Sequence, residues 1–112
     1  MIKPRIIDAS REGHGLDKYD LDSEVKLKFV PITEITYNPK NAFGSYMCEL
    51  INDKDEDDIE TFNVVGNFIN SLNINQTYEA VGIIKEYRGN KQLEIKNIKK
   101  VIPNEKKGII AF

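Results

Sequence analysis

The residues of this chain best suited to chemistry are tyrosines that lie close in sequence to cations. Tyr37 and Tyr46 flank a stretch that contains Lys40, and Tyr87 directly precedes Arg88. Proteins bind single-stranded nucleic acid with aromatic side chains that stack on bases and cations that contact phosphates. Tyrosine suits this role because its hydroxyl tolerates exposure to water. We therefore predict a nucleic-acid-binding site made of Tyr37, Lys40, Tyr46, Lys85, Tyr87, Arg88 and Lys91.

The distribution of charge bears on the same site. Residues 1–84 carry 8 basic and 15 acidic side chains, whereas residues 85–112 carry 8 basic and 3 acidic ones. A basic stripe is typical of a surface that binds phosphates. The alternative is a solvated strand face that carries lysines. Strand aromatics such as Phe43 and the tyrosines have an alternative too, since they often belong to the core.

The sequence lacks the residue patterns needed for ATP binding, catalysis or metal binding. The chain has no Gly-rich loop ending in Lys-Ser or Lys-Thr, so it cannot hold ATP in that way. His14 is the only histidine and Cys48 the only cysteine, which we expect to be a buried strand residue. The acidic run Asp53–Asp58 lacks the glycine and the distal glutamate of a calcium loop. We expect no catalytic residue, metal or cofactor in this chain.

Five segments have the character of the strands that would position the predicted site. Several of them alternate apolar and polar residues with a period of two, as strands do. They are Glu24–Tyr37, Phe43–Ile51, Glu60–Phe68, Thr77–Tyr87 and Leu93–Val101. Pro31 predicts a bulge or an edge position in the first of them, and residues 70–76 are too few for a full helix. A long bent first strand followed by four more predicts an all-β, five-stranded OB-fold barrel. An SH3-like barrel is the second possibility.

The same alternation predicts the core and the turns. Polar turns are expected at Asn38–Asn41 and at Arg88–Lys91, where Gly89 and Asn90 tolerate a positive φ. The predicted core residues are Val25, Leu27, Phe29, Phe62, Val64, Val81, Ile83, Leu93 and Ile95.

The chain divides into three parts. Residues 1–23 predict a flexible N-terminal arm with little structure of its own, and residues 24–102 the OB-fold domain. Residues 103–112 predict the start of a linker helix with Asn104 as its N-cap, which the pattern leaves unfinished at Phe112. The first residues lack the apolar core of a signal peptide, and no stretch is apolar enough to span a membrane. These features favour a cytoplasmic protein.

Three segments resemble one family. Ile35–Tyr46 is similar to its first strand, Asn-rich turn and start of strand two, with Ala42 where the family usually has Gly. Phe62–Asn67 contains Val-Val-Gly-Asn and is similar to a strand of that family with the same four residues. Val101–Phe112 is similar to the family's linker into its helix-hairpin-helix region. From about Glu34 onward the chain resembles the N-terminal OB domain of RecD-like superfamily-one DNA helicases, related to the exonuclease V alpha subunit.

The resemblance implies an accessory domain of an ATP-dependent DNA helicase of DNA repair and recombination. It would contact single-stranded DNA weakly, and the motor domains, with their ATP and Mg²⁺, would follow beyond Phe112 in the same full-length chain. The alternative is a structural OB domain that docks on the motor domains or on a protein partner without binding DNA. The acidic excess of residues 1–84 favours this alternative, whereas the basic, aromatic last hairpin favours DNA binding.

Overall fold

The structure, a computed structural model, describes residues 6–68 and 70–101. Each predicted strand is confirmed to within three residues at its ends. The linker helix predicted from Asn104 lies outside the described residues. No helix within the described ranges has the length and apolar character needed to cross a membrane. The elements in chain order are β1 (Ile7–Asp8), α1 (Ala9–Glu12), a 3-10 helix (Leu16–Lys18), β2 (Glu24–Asn38), β3 (Phe43–Leu50), β4 (Glu60–Asn67), β5 (Tyr78–Tyr87) and β6 (Asn90–Lys100).

Strands β2 to β6 close into a barrel. Antiparallel pairs join β2 to β3, β3 to β4 and β5 to β6, and β4 pairs with β6 in parallel. The barrel closes because β2 also pairs with β5. Residues 70–76, which connect β4 to β5, form no helix. This closed five-stranded architecture confirms the predicted all-β OB-fold.

A bend in β2 makes this closure possible. The first half of β2 pairs with β5 as far as Phe29, and the second half pairs with β3 from Phe29 onward. The register with β3 shifts between Pro31 and Thr33, so the predicted irregularity at Pro31 is confirmed. Proline suits this place because it has no N–H to contribute to a regular ladder.

Aromatic rings fill the middle of the barrel. The ring of Phe29 stacks on Tyr78 at 5.9 Å and meets the edge of Phe62 at 6.0 Å. Cys48 is buried, as predicted. Phe62 and Ile95 are half-buried and pack against the core. The other predicted core residues that are confirmed as buried are Val25, Leu27, Phe29, Val64 and Leu93.

The prediction for the core face of β5 was wrong. Val81 and Ile83 are half-buried on the outer face, while Ala80 and Ile84 are buried in the core. Both faces of β5 are apolar, so alternation did not distinguish them. One position of the inner face requires glycine, because a Cβ atom at Gly82 would lie 2.5 Å from the carbonyl oxygen of Glu94.

The prediction of an N-terminal arm with little structure was also wrong from Ile6 onward. Strand β1 pairs in parallel with β2, and Leu16 and Tyr19 are buried. The side chain of the fully buried Ser10 hydrogen-bonds the backbone of Lys28 in β2, as a neighbouring strand would. Its Oγ accepts a hydrogen bond from the Lys28 amide at 2.7 Å and donates one to the Lys28 carbonyl at 3.2 Å. Contacts of single residues leave no periodic pattern in the sequence.

Replacing Ser10 by alanine tests whether this segment belongs to the fold. The variant leaves the Lys28 amide without an acceptor, while the Lys28 carbonyl keeps its hydrogen bond of 2.9 Å from the Ile51 amide. An unsatisfied buried group costs about 1–3 kcal/mol. We expect Ser10→Ala to lower the free energy of unfolding by about that amount in urea denaturation. Ser45→Ala is the control, because Ser45 is half-buried and has no side-chain hydrogen bond within the described part of the chain. Equal midpoints for the two variants would contradict the assignment.

Candidate nucleic-acid interface

The outer face of β3 and β4 presents the exposed apolar side chains of the candidate interface. Phe43 is 42% exposed and Met47 is 40% exposed. Residues directly opposite each other in a sheet point to the same face. Phe43 pairs with Asn67, Met47 pairs with Asn63, and Asn63 pairs in turn with Gln92 of β6. The face therefore combines two apolar side chains with a row of amides, and we call it the β3–β4 face.

Two loops with exposed cations lie at opposite ends of this face. The β2–β3 turn, which carries Lys40, is fixed at the end of β4, where the Phe68 amide donates to the Ala42 carbonyl at 2.7 Å. The β5–β6 hairpin lies near the start of β4, where Thr61 and Asn90 line one cleft. Six residues of β4 separate the two ends, which corresponds to about 20 Å at the rise of a strand.

The β5–β6 hairpin has a two-residue turn. Arg88 and Gly89 both have positive φ values, 52° and 84°, and Tyr87 pairs with Asn90. The positive φ predicted at Gly89 is confirmed, but the longer turn predicted at 88–91, with Asn90 as a turn residue, was wrong because β6 already begins at Asn90. Two consecutive positive φ values are those of a type I′ turn, which matches the twist of the paired strands. The Arg88 guanidinium lies 5.1 Å from the centre of the Tyr87 ring, which is 55% exposed.

The N-terminal segment binds two of the predicted cations. Lys85 forms an ion pair with Asp22 at 2.8 Å, and the hydrogen bond and charge of Asp22 raise the pKa of Lys85. Lys91 donates hydrogen bonds to the main-chain carbonyls of Tyr19 and Asp17. Phosphate would have to compete with these partners for both lysines. In the described part of the chain, Lys40 and Arg88 are the predicted site cations that pair with no protein oxygen.

Tyr46 is a correction to the predicted site, because its ring is fully buried. Its hydroxyl shares a hydrogen bond of 2.9 Å with Ser71 Oγ and accepts one of 2.9 Å from the Leu72 amide. Burial raises the pKa of this hydroxyl. Tyr46 therefore offers no face to a base. Tyr37 is half-buried, and its hydroxyl donates to the Phe68 carbonyl at 3.0 Å.

The position of each residue along β3 distinguishes the buried Tyr46 from the exposed Phe43 and Met47. Tyr46 has the same parity along β3 as Cys48 and Leu50, which are buried, whereas Phe43 and Met47 have the opposite parity and are exposed. Met47 was not predicted as part of the site because it is neither aromatic nor charged. Its thioether is nevertheless a flexible apolar contact surface.

Carboxylates moderate the electrostatic potential of the face. Glu49 lies two residues after Met47 on the same side of β3, and the exposed Glu94 pairs with Val65 of β4. A cleft of about 230 Å³ at the hairpin end is lined by Asp17 and Glu60 among others. The two loops thus provide isolated positive charges at either end of a face of mixed charge.

Comparisons with known proteins support the fold alone. No protein-family model and no curated protein matches the chain. The N-terminal domain of PriB from Thermoanaerobacter tencongensis is similar in structure, with a TM-score of 0.55, 11% identity, and 70% of this chain and 96% of that chain covered. A replication protein A heterotrimer bound to single-stranded DNA is similar with a TM-score of 0.51 and 10% identity, and the match covers 85% of this chain and 69% of that chain. The hypothetical protein ygiW from E. coli is similar with a TM-score of 0.53 and 15% identity, and the match covers 88% of this chain and 100% of that chain.

Removing the hydroxyl of Tyr46 tests its structural role. Tyr46→Phe leaves the buried Leu72 amide without an acceptor, so we expect a loss of about 1–3 kcal/mol in the free energy of unfolding. Tyr87→Phe is the matched control, since the Tyr87 hydroxyl makes no hydrogen bond to the described residues, and it should leave stability within about 0.5 kcal/mol. Chemical denaturation of the two variants provides the comparison. A Tyr46→Phe variant as stable as the control would refute the role of this hydroxyl.

Proposed function

We propose that this chain is an OB-fold domain that binds single-stranded nucleic acid weakly along the β3–β4 face. The observation that carries the proposal is the placement of exposed Phe43 and Met47 between Lys40 and Arg88, two exposed cations at opposite ends of the face. The structural similarity to a replication protein A heterotrimer bound to single-stranded DNA supports it.

The face offers a distinct contact for each part of a single strand. Bases stack on Phe43 and Tyr87, where each stacked base contributes about 1–3 kcal/mol. Phosphates contact Lys40 and Arg88 at the two ends. The side-chain amides of Asn63 and Gln92 lie between and can hydrogen-bond base edges, because an amide both donates and accepts. Two unpaired cations on a face of mixed charge correspond to weak binding.

The finer part of the proposal is an accessory domain of a RecD-like DNA helicase, whose motor domains would bind ATP and Mg²⁺ in the same full-length chain. The resemblance of Ile35–Tyr46 and Phe62–Asn67 supports this. The backbone at Ala42 supports it too, since its φ of 60° is the conformation that favours the glycine usual at this position in that family. A cytoplasmic location belongs to the same proposal.

A docking domain that binds no nucleic acid is the second candidate. It is favoured by the N-terminal segment, which already holds Lys85 and Lys91, and by Glu49 and Glu94 beside the face. Such a domain would use the exposed Phe43 and Met47 against a motor domain or another protein.

Charge reversal at both ends of the face distinguishes these candidates. We expect the wild type to bind a fluorescein-labelled oligothymidylate at low salt, measured by fluorescence anisotropy, and Lys40→Glu/Arg88→Glu to lose most of that affinity. Arg11→Glu/Lys54→Glu is the control with the same change of net charge, because both residues are exposed and line a separate cleft. For a single strand, two phosphate contacts give a slope of about −1.4 in log K against log salt.

The possible results of this experiment distinguish nucleic-acid binding on the β3–β4 face from the docking candidate. Equal losses in the two double variants would mean that the effect is one of net charge and that the β3–β4 face is not the site. A wild type that binds no oligonucleotide even at low salt would favour the docking candidate. Lys91 is left unchanged in this design, since its replacement would also break its hydrogen bonds to the N-terminal segment.

A further inference from the structure

A second groove opens at one end of the barrel, between the β4–β5 connection and the second half of β6. It measures about 690 Å³, and Phe68, Leu72, Tyr78 and Ile98 form its apolar part. The groove exists because β6 pairs with β4 only as far as Glu94, and because residues 70–76 form no helix that would fill the space beyond.

The polar part of this groove consists mainly of hydrogen-bond donors. Three lysines and several asparagines line it, and no acidic residue is among its described lining residues. Lys96 and Lys99 pair with Glu24 at 3.3 Å and Glu79 at 3.2 Å, but neither carboxylate lines the groove. An ammonium has three N–H donors, so one ion pair leaves others available. Lys100 has no partner among residues 6–68 and 70–101.

One wall of the groove is held in place before any ligand binds. The Leu72 amide donates to the Tyr46 hydroxyl at 2.9 Å, and the Asn73 amide donates to the Tyr78 hydroxyl at 2.8 Å. The side-chain amides of Asn70, Asn73 and Asn97 make no hydrogen bond to the described residues and remain available to a ligand. A preformed wall lowers the entropic cost of binding.

The groove continues from the β3–β4 face. Asn67 pairs with Phe43 at the end of that face and also lines the groove. A ligand for this groove must supply negative charge and many acceptor oxygens, which is the chemistry of a phosphate backbone. Resting on the function proposed above, we propose that a single strand of nucleic acid leaves the face at Asn67 and that its phosphates then bind Lys96, Lys99 and Lys100.

An NMR titration tests the face and the groove separately. With ¹⁵N-labelled protein and an oligothymidylate of about 12 nucleotides, within the range of OB-fold site sizes, we expect shifts at the amides of Met47 and Gln92 and also at Asn73, Asn97 and Lys99. Shifts on the face alone would overturn the groove and leave the proposed function standing. Shifts in the groove alone would support phosphate binding there and overturn the face as the site. Shifts at neither would overturn both.

The length of the oligonucleotide gives a second test. An oligomer of about 4 nucleotides should be confined to the face, so its salt slope should be shallower than that of one of about 12, by about 0.7 for each additional phosphate contact. Lys99→Gln/Lys100→Gln should remove about 1.4 of the longer oligomer's slope and leave the shorter one's unchanged. Arg11→Gln/Lys54→Gln is the control of equal charge.

Three results would overturn the groove. They are equal slopes for both lengths, a loss in the control that matches the loss in the groove variant, and polyglutamate that shifts the groove amides when the oligonucleotide does not. The last result would assign the groove to an acidic protein segment.

Discussion

The change of partner at Phe29 is the constraint on which the rest of the structure depends. Phe29 pairs with Tyr78 of β5 and also with Leu50 of β3, so it is where β2 passes from one side of the barrel to the other. Its fully buried ring stacks on Tyr78, so the backbone pairing and the core packing fix the same point. Without this junction β5 and β6 would not return to β2, and the β3–β4 face would have no hairpin at its end.

Closure without a helix between β4 and β5 determines how the chain uses its tyrosines. Something must hold residues 70–76 over the end of the barrel, and the hydroxyls of Tyr46 and Tyr78 do so by accepting main-chain amides from this connection. Tyrosine fits because its ring fills the core while its hydroxyl reaches a polar partner. The rings of these two tyrosines are buried and cannot contact a ligand, whereas Phe43 and Tyr87 are the more exposed rings of the described chain.

The sequence predicts the strands, the bend and the barrel well, because these follow from alternation and from Pro31. It predicts the site less well. Alternation says which residues share a face but not which face is buried, so Val81 and Ile83 were assigned to the core. Tyr46 was assigned to the site although it shares the parity of Cys48, which was predicted to be buried. The N-terminal segment escaped prediction for a different reason, since its attachment depends on Ser10 and on lone buried residues that no period of two reveals.

The N-terminal segment limits the positive charge that is available on the β3–β4 face. Asp22 neutralises Lys85, and two main-chain carbonyls engage Lys91, so the packing that stabilises the barrel occupies cations that the sequence offers to phosphate. The face alone therefore has little charge with which to hold a strand. The proposed binding of phosphates in the groove would change this balance, because contacts along one strand act at a high effective concentration once the first has formed. The lysines of β6 would then supply charge that the face gives up to the fold.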